Sequence, residues 1–239
     1  MRYVSTRGGA PEADFGQVLL NGLAPDGGLY VPAEWPRLGD VWLQPDASYV
    51  DIAVDVMVIE VGLLGRWDAT NIVEAQVAVV TNIAMDHNEF AGPSLVDIAQ
   101  EKSGIVKPGS ATIIGETRPE LIEIFQNAGG AASIVRGDDF AVTSNALAVN
   151  GRLLDLRTPT TIYTDVFLPL NGAHQGDNAA LALAAVETFF AAPLPDDVVH
   201  EGFGEVTMPA RFEILGRQPL TILDGAHNPF GADTCATVF

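Results

Sequence analysis

Apolar and polar positions change their period twice along the chain. From about Met57 to Val135, short apolar runs rich in β-branched residues alternate with stretches of helical period: VMVIEV, VAVVTNI, SLVDIAQEKSGIV, SATIIG, RPELIEIFQNAG and ASIVR. Strand–helix alternation of this kind predicts α/β architecture, a mostly parallel sheet with flanking helices. The strands are nearly continuous apolar runs, which predicts cover on both faces. Between residues 140 and 170 the period becomes two, in FAVTSNALAV, GRLLDLRT and TIYTDVFLPL. Asn150-Gly151 between such runs predicts a β-hairpin subregion. A long Ala- and Leu-rich helix is expected at about 174–190, a shorter one at 196–203, and then the strands RFEILG and LTILDG. The first forty residues are punctuated instead by Gly8-Gly9, Pro11, Pro25-Asp26-Gly27-Gly28, Pro32 and Pro36. One helix is expected there, at 15–23 with Asp14 as its N-cap, giving a small α+β segment. No internal repeat is present.

Composition adds bounds to this picture. Of 239 residues, 48% are hydrophobic and 18% charged, which is ample for a buried core. The net charge of −19 repels phosphate backbones, so no nucleic-acid partner is expected, and an anionic substrate needs local basic groups. The most apolar stretch, VDIAVDVMVIEVGLLG, is broken by Asp51, Asp55 and Glu60 and is too short and too charged to span a bilayer. Cys235 is the one cysteine, so no internal disulfide can form, and MRYVSTRGG has no apolar leader core. A cytoplasmic protein with no membrane partner is expected.

The chain holds ten Arg and two Lys, Lys102 and Lys107, both in IAQEKSGIVKPG. An amine can lose its proton or be carbamylated, whereas guanidinium stays protonated. A position kept as Lys in an Arg-preferring chain is therefore a chemical candidate. Chance placement near the C-terminal dipole of a helix explains the same pattern equally well. The histidines are His87, His174, His200 and His227. Asp86-His87 follows the run VAVVTNIAM, Asp224 and His227 follow LTIL, and Glu60 ends VMVIE. Polar groups just past the carboxyl ends of buried strands are where open α/β sheets bind ligands. A carboxylate and a His there suit a divalent cation or a phosphate.

Five segments occur in a fixed order: EVGLLGRWDATN (60–71), TNIAMDHNEFAGPSLVDIAQEKSGIVKPG (81–109), GAHQGDNAALALAAVE (172–187), MPARFEIL (208–215) and ILDGAHNP (222–229). Together they resemble the folylpolyglutamate synthase/dihydrofolate synthase family of the Mur ligase superfamily, over about 180 residues. The resemblance implies an ATP-dependent ligase. It adds glutamate to a folate or pteroate carboxylate through an acyl phosphate, with ATP and Mg2+ as cofactors and folate or dihydropteroate, glutamate and ATP as partners. It implies Glu60 and His87 as magnesium ligands, and Lys102 as the carbamylated lysine that helps hold a second metal. His87 and Lys102 are then the catalytic candidates. Asn178 and Arg211 are implied as ATP contacts, and Asp224 and His227 as contacts to ribose and phosphate.

The chain departs from the family at Leu64 and Ala210, where glycine is usual, and at Ser103, where Ala is usual. A non-glycine residue at a position of positive φ costs backbone freedom. The family's glycine-rich phosphate loop of the GTNGKGS type has no counterpart here, nor does any GxxxxGKS or GxxxxGKT. YVSTRG and GLAPDGGLYVP, with ASYVDIAVDVM as an extension of the match, resemble instead the N-terminus of threonine synthase, a pyridoxal-phosphate enzyme. No lysine precedes Lys102, so no Schiff base can form in that part. The expected organisation is a threonine-synthase-like segment at 1–57, an incomplete Mur-ligase-type central domain at 58–216, and the start of a C-terminal ligase domain at 217–239. The alternatives are a non-catalytic nucleotide- or metal-binding fragment and a threonine synthase fragment. A sheet lacking the strand that leads into a phosphate loop is expected to expose an apolar edge.

Overall fold

In the computed structural model, residues 2–14, 17–18, 21, 23–33, 58–85, 91–226 and 228–238 are described. They form two compact units, Met1–Val61 and Gly62–Phe239.

The first unit contains β1 (Arg2–Ser5), β2 (Ala13–Asp14) and β3 (Tyr30–Pro32) in one antiparallel sheet of order β2-β1-β3. Asp26 holds it together. Its carboxylate accepts from Ser5 Oγ at 2.6 Å, Gly9 N at 2.8 Å and Gly28 N at 3.0 Å. The Ser5 bond above all, then the Gly28 bond, keeps that carboxyl below its usual pKa. YVSTRG and APDGG are thus bound to each other. The helix expected at 15–23 lies largely outside the described residues; of the run VMVIEV, Val56 and Met57 lie outside them and Val58–Val61 form no strand, so the strand expected there is not found in the described part.

The second unit begins with the expected alternation. β4 (Val77–Val80), β5 (Ala111–Ile114) and β6 (Ala132–Val135) are parallel, in the order β4-β5-β6. α1 (Leu95–Lys102) and α2 (Pro119–Gln126) connect them. Ser94 caps α1 in a reciprocal capping box with Asp97, and Pro119 opens α2 where its missing N–H costs nothing. Successive strand residues point to opposite faces. Ile114 therefore packs with Ile98, Leu121 and Phe125 beneath α1 and α2. Ile113 packs on the other side with Leu181 and Ala184 of α3 (His174–Phe190). Both isoleucines are fully buried, as expected of a sheet covered on both faces. Among the described residues β4 pairs only with β5, and its Val79 is 40% exposed.

α3 also packs on an antiparallel sheet of β7 (Ala141–Ala148), β8 (Gly151–Arg157) and β9 (Ile162–Leu168). The hairpin is present, one residue earlier than the Asn-Gly pair implies. Val149 and Asn150 make the turn, Asn150 takes the left-handed conformation (φ 61°), and Gly151 opens β8 opposite Ala148. Gly151 is needed for a different reason: a side chain there would strike the backbone of Leu168 and Pro169. A buried polar bridge ties this sheet to α3. Glu187 accepts from Tyr163 Oη at 2.6 Å and Thr160 Oγ1 at 2.7 Å.

α4 (Asp196–Gly204) packs on β9. The antiparallel pair β10 (Glu213–Arg217) and β11 (Leu220–Leu223) follows, then α5 (Pro229–Ala236), capped by Asn228. β10 runs across the boundary expected at 216/217. No described helix is long and apolar enough to cross a membrane.

Candidate functional site

The loop Gly62–Asp68 lies against the C-terminal end of α1, where Lys102 is the last helical residue. Arg66 N donates to Glu101 O at 3.0 Å, and Arg66 Nη2 to Gln100 O at 3.2 Å. Two glycines permit this approach. A Cβ on Gly65 would lie 3.0 Å from Lys102 O, and one on Gly104 2.6 Å from Arg66 Cβ. Asp68 fixes the loop by accepting from Leu63 N at 2.8 Å, Thr70 N at 2.9 Å and Thr70 Oγ1 at 2.6 Å. Burial works to raise its pKa, but the Thr70 and Leu63 hydrogen bonds outweigh burial and hold it below the usual carboxylate range. Leu64, in this same loop, adopts φ 59° and packs on the core beneath α1.

The two lysines have separate surroundings. Lys107 Nζ donates to Asn71 Oδ1 at 2.8 Å, Asn71 O at 3.1 Å and Gly104 O at 3.4 Å. It is a structural tie between the turn at Ala69–Ile72 and the end of α1. Lys102 is half-buried at that end.

At the carboxyl edge of the parallel sheet, Glu116 follows β5 and is 2% exposed. It accepts from Ile83 N at 2.9 Å, Thr117 N at 2.8 Å and Arg118 N at 2.9 Å. Arg118 adds Nε at 2.9 Å and Nη2 at 2.7 Å, and Nη2 also donates to Ile83 O. Burial pushes the Glu116 pKa up, but these donors, Arg118 first, bring it down to about 2. The clamp pins the segment that leads from β4 toward Asp86-His87.

One pocket of the second unit lies between the start of α3 and the β11–α5 turn, with a volume of about 200 Å³. Asn171, His174 and Gln175 line one side, Arg211 and Phe212 another, and Asp224, Gly225, Asn228 and Phe230 a third. Cys235 and Val238 of the α5 end complete it. Asp224 is held firmly: Oδ2 accepts from Phe212 N and Oδ1 from Ala226 N, both at 2.7 Å. Each oxygen keeps a second lone pair for a hydroxyl donor. Gly225 N donates to Ala210 O at 2.8 Å, and a side chain at Gly225 would strike the Arg211 guanidinium. Arg211 is exposed, and among the described residues its side chain makes one weak bond, 3.4 Å, to its neighbour's carbonyl. Ala210 (φ 58°) and Phe212 (φ 50°) flank it in the left-handed region. Burial lowers the His174 pKa, against a smaller pull from Asp224 and Asp177, so its imidazole is neutral at neutral pH.

Of the residues singled out from the sequence, Arg211 and Asp224 meet in this pocket. Asn178 is exposed and outside the lining, and touches it through Gln175, whose Oε1 accepts from Asn178 Nδ2 at 3.0 Å. Lys102 is not in the lining. Glu60 is exposed and belongs to the first unit. His87 and His227 lie outside the described residues. Among the described residues no group of three or more His, Cys, Asp or Glu could hold a metal ion. Sequence reasoning passed over His174 and Gln175, although both stand in GAHQGDN beside Asn178.

A three-stranded parallel sheet covered by helices on both faces defines an α/β protein. The Mur ligase middle domain matches residues 46–186, and the threonine synthase N terminus matches residues 2–74. The chain therefore belongs to the Mur ligase family. Its relatives place it in the folylpolyglutamate and dihydrofolate synthase branch. The dihydrofolate synthase/folylpolyglutamate synthase of Mycobacterium tuberculosis is 42% identical over 203 residues, 80% of this chain and 42% of the relative. That of Escherichia coli is 36% identical, over 84% of this chain and 44% of the relative. Mycobacterium tuberculosis folylpolyglutamate synthase complexed with ADP and AMPPCP superposes with a TM-score of 0.73 at 42% identity, over 80% of this chain and 45% of that one. A complex of FPGS with AMPPCP and folate gives 0.73 at 30% identity, over 77% and 46%. The chain spans less than half the length of the curated relatives it matches.

Proposed function

We propose that residues 171–238 form the nucleotide-binding side of an ATP-dependent ligase of the folylpolyglutamate synthase/dihydrofolate synthase type. One observation carries this reading: the pocket that combines Arg211, the anchored Asp224 and the N-terminus of α5. In a chain of net charge −19 an anion needs local positive potential. Arg211 supplies a full charge and the α5 N-terminus a partial one, both suited to phosphate. Asp224, acceptor-only and fixed by two backbone N–H groups, suits ribose hydroxyls. Relatives solved with ADP, AMPPCP and folate support the assignment.

The reaction proposed for the whole ligase is activation of a folate or pteroate carboxylate as an acyl phosphate, followed by attack of the glutamate amine. Neutralising the transferring phosphoryl group is the main electrostatic task in such chemistry. Arg211 serves it from this pocket. Magnesium, with Glu60, His87 and Lys102 as its holders, and carbamylation of Lys102 enter the proposal through the family resemblance.

Calorimetric titration of the full chain with ADP tests the binding reading. Saturable binding that weakens about tenfold in Arg211→Met is expected, the loss of one charge-assisted hydrogen bond. An absence of ADP binding by the wild-type chain would overturn it. Folate- and glutamate-dependent ADP release, measured with ATP and magnesium, tests the reaction, and Lys102→Arg is expected to abolish it.

A further inference from the structure

α3 begins beside the pocket without a capping side chain. Ala173 stands at its N-cap position, where Ser, Thr, Asp or Asn usually supplies an acceptor. Yet His174 and Gln175 of its first turn line the pocket. Two tethers from other elements hold this turn instead. In the first, Asn145 of β7 donates from Nδ2 to Ala173 O at 2.9 Å. Arg152 of β8 fixes that amide by donating to Asn145 Oδ1 at 2.7 Å and to Asn145 O at 2.8 Å. In the second, Arg136, directly after β6, meets Asp177 of α3 at 2.6 Å.

Stability does not account for the second tether. Arg136 Nε is buried and has no hydrogen-bond partner among the described residues. A buried guanidinium N–H without an acceptor carries a desolvation cost, and an apolar side chain of similar volume in such a place is often neutral or stabilising. Asp177 is half-exposed, so solvent screens the pair and its return is small. What the pair does supply is a fixed separation between the carboxyl end of β6 and the first turn of α3. Neither Arg136 nor Asp177 lines the pocket, so their effect on a ligand passes through the helix.

We propose that Arg136 is a positioning residue for the pocket: its ion pair with Asp177 sets the first turn of α3, and with it His174 and Gln175, against Arg211 and Asp224. This rests on the nucleotide-binding reading above.

Calorimetric titration of the full chain with ADP, with chemical denaturation alongside, tests this in Arg136→Met, Asp177→Ala, the double variant and Arg136→Lys. Positioning and plain electrostatics give opposite signs at Asp177. If only the field of the charges mattered, Asp177→Ala would strengthen ADP binding, because a negative charge near a phosphate site is removed. Positioning makes Arg136→Met and Asp177→Ala each weaken ADP about fivefold. The double variant is expected to be no weaker than either alone, since both break one tether. Arg136→Lys keeps a donor for Asp177 and is expected to keep most of the affinity. The denaturation midpoint of Arg136→Met is expected to stay at or above that of the wild type. Tighter ADP binding by Asp177→Ala, or wild-type affinity in Arg136→Met, overturns the positioning role and leaves the nucleotide site standing. A lowered midpoint in Arg136→Met, with losses that multiply in the double variant, assigns Arg136 to the fold and overturns it as well. If the wild-type chain binds no ADP, both readings fall.

Discussion

The junction around Lys102 and the pocket around Arg211 are built on opposite plans. At the junction, Asp68, Lys107 and Arg66 direct their polar groups to partners within the chain. At the pocket, Arg211 makes one weak side-chain bond among the described residues. Groups with internal partners hold the fold, and groups without them are available to a ligand. Substitutions at the first kind should register in stability, and those at the second kind in affinity.

Glu116 should give the largest effect. Glu116→Ala leaves the Arg118 guanidinium and three backbone N–H groups without their acceptor, and is expected to cost about 3 kcal/mol or more in chemical denaturation. A loss under about 1 kcal/mol would show that water replaces the clamp. The same carboxylate has a lowered pKa, so its contribution is complete above about 4.5 and disappears as the pH falls toward 2. An acid-unfolding midpoint that does not move in Glu116→Gln would contradict that assignment.

Lys107→Met should come next, at about 2 kcal/mol for the lost charge-assisted bonds, measured in the same way. Arg211→Met sharpens the contrast. Its stability should stay within about 0.5 kcal/mol of wild type while ADP affinity drops about tenfold. A destabilised Arg211→Met that still bound ADP at full strength would break the comparison between the two regions.

The two positions where the family usually has glycine give a smaller, paired test. Leu64 (φ 59°) and Ala210 (φ 58°) both occupy the left-handed region. Releasing that strain is worth roughly 1–2 kcal/mol, offset by roughly 0.5–1 kcal/mol of added chain entropy. Ala210→Gly should therefore raise stability by up to about 1 kcal/mol. Leu64→Gly should give no gain, because Leu64 also packs on the core beneath α1. A thermal melt in which both variants gain equally would show that this packing is worth little.

His200 should give the smallest effect. Its Nδ1 lies 2.9 Å from Asp196 O and its Nε2 3.1 Å from Thr164 O, with Asp196 Oδ2 at 3.4 Å. Only the imidazolium donates to both carbonyls. The Asp196 carbonyl, ahead of opposing burial, raises its pKa above 6.5. The contribution is thus complete below 6.5 and is lost as the pH rises through the raised value. His200→Gln should flatten the pH dependence of stability above pH 6.5, read from denaturation midpoints.

Much of the fold was legible because burial imposes a period. Ile113 and Ile114 had to face opposite ways, so the apolar run of β5 implied cover on both faces. The hairpin was legible to within one residue, since Asn150 tolerates positive φ. The role of Gly151 was not, because the obstruction comes from Leu168 and Pro169, far along the chain. Arg211 and Asp224 were legible through their motifs. The difference between Lys102 and Lys107 was not, because it depends on Asn71 folding back onto one of them.

The sequence by itself determined the strand–helix alternation from Val77 onward, the two covered faces of the parallel sheet and the family. Those follow from local period and residue type. Only the tertiary structure decided which polar groups are satisfied internally. It set Gln175, not Asn178, in the pocket wall, made Lys107 a structural tie and closed Glu116 into a clamp. Each outcome depends on a partner more than thirty residues away or on burial by other elements, and neither is a property of a residue's own neighbours in the chain.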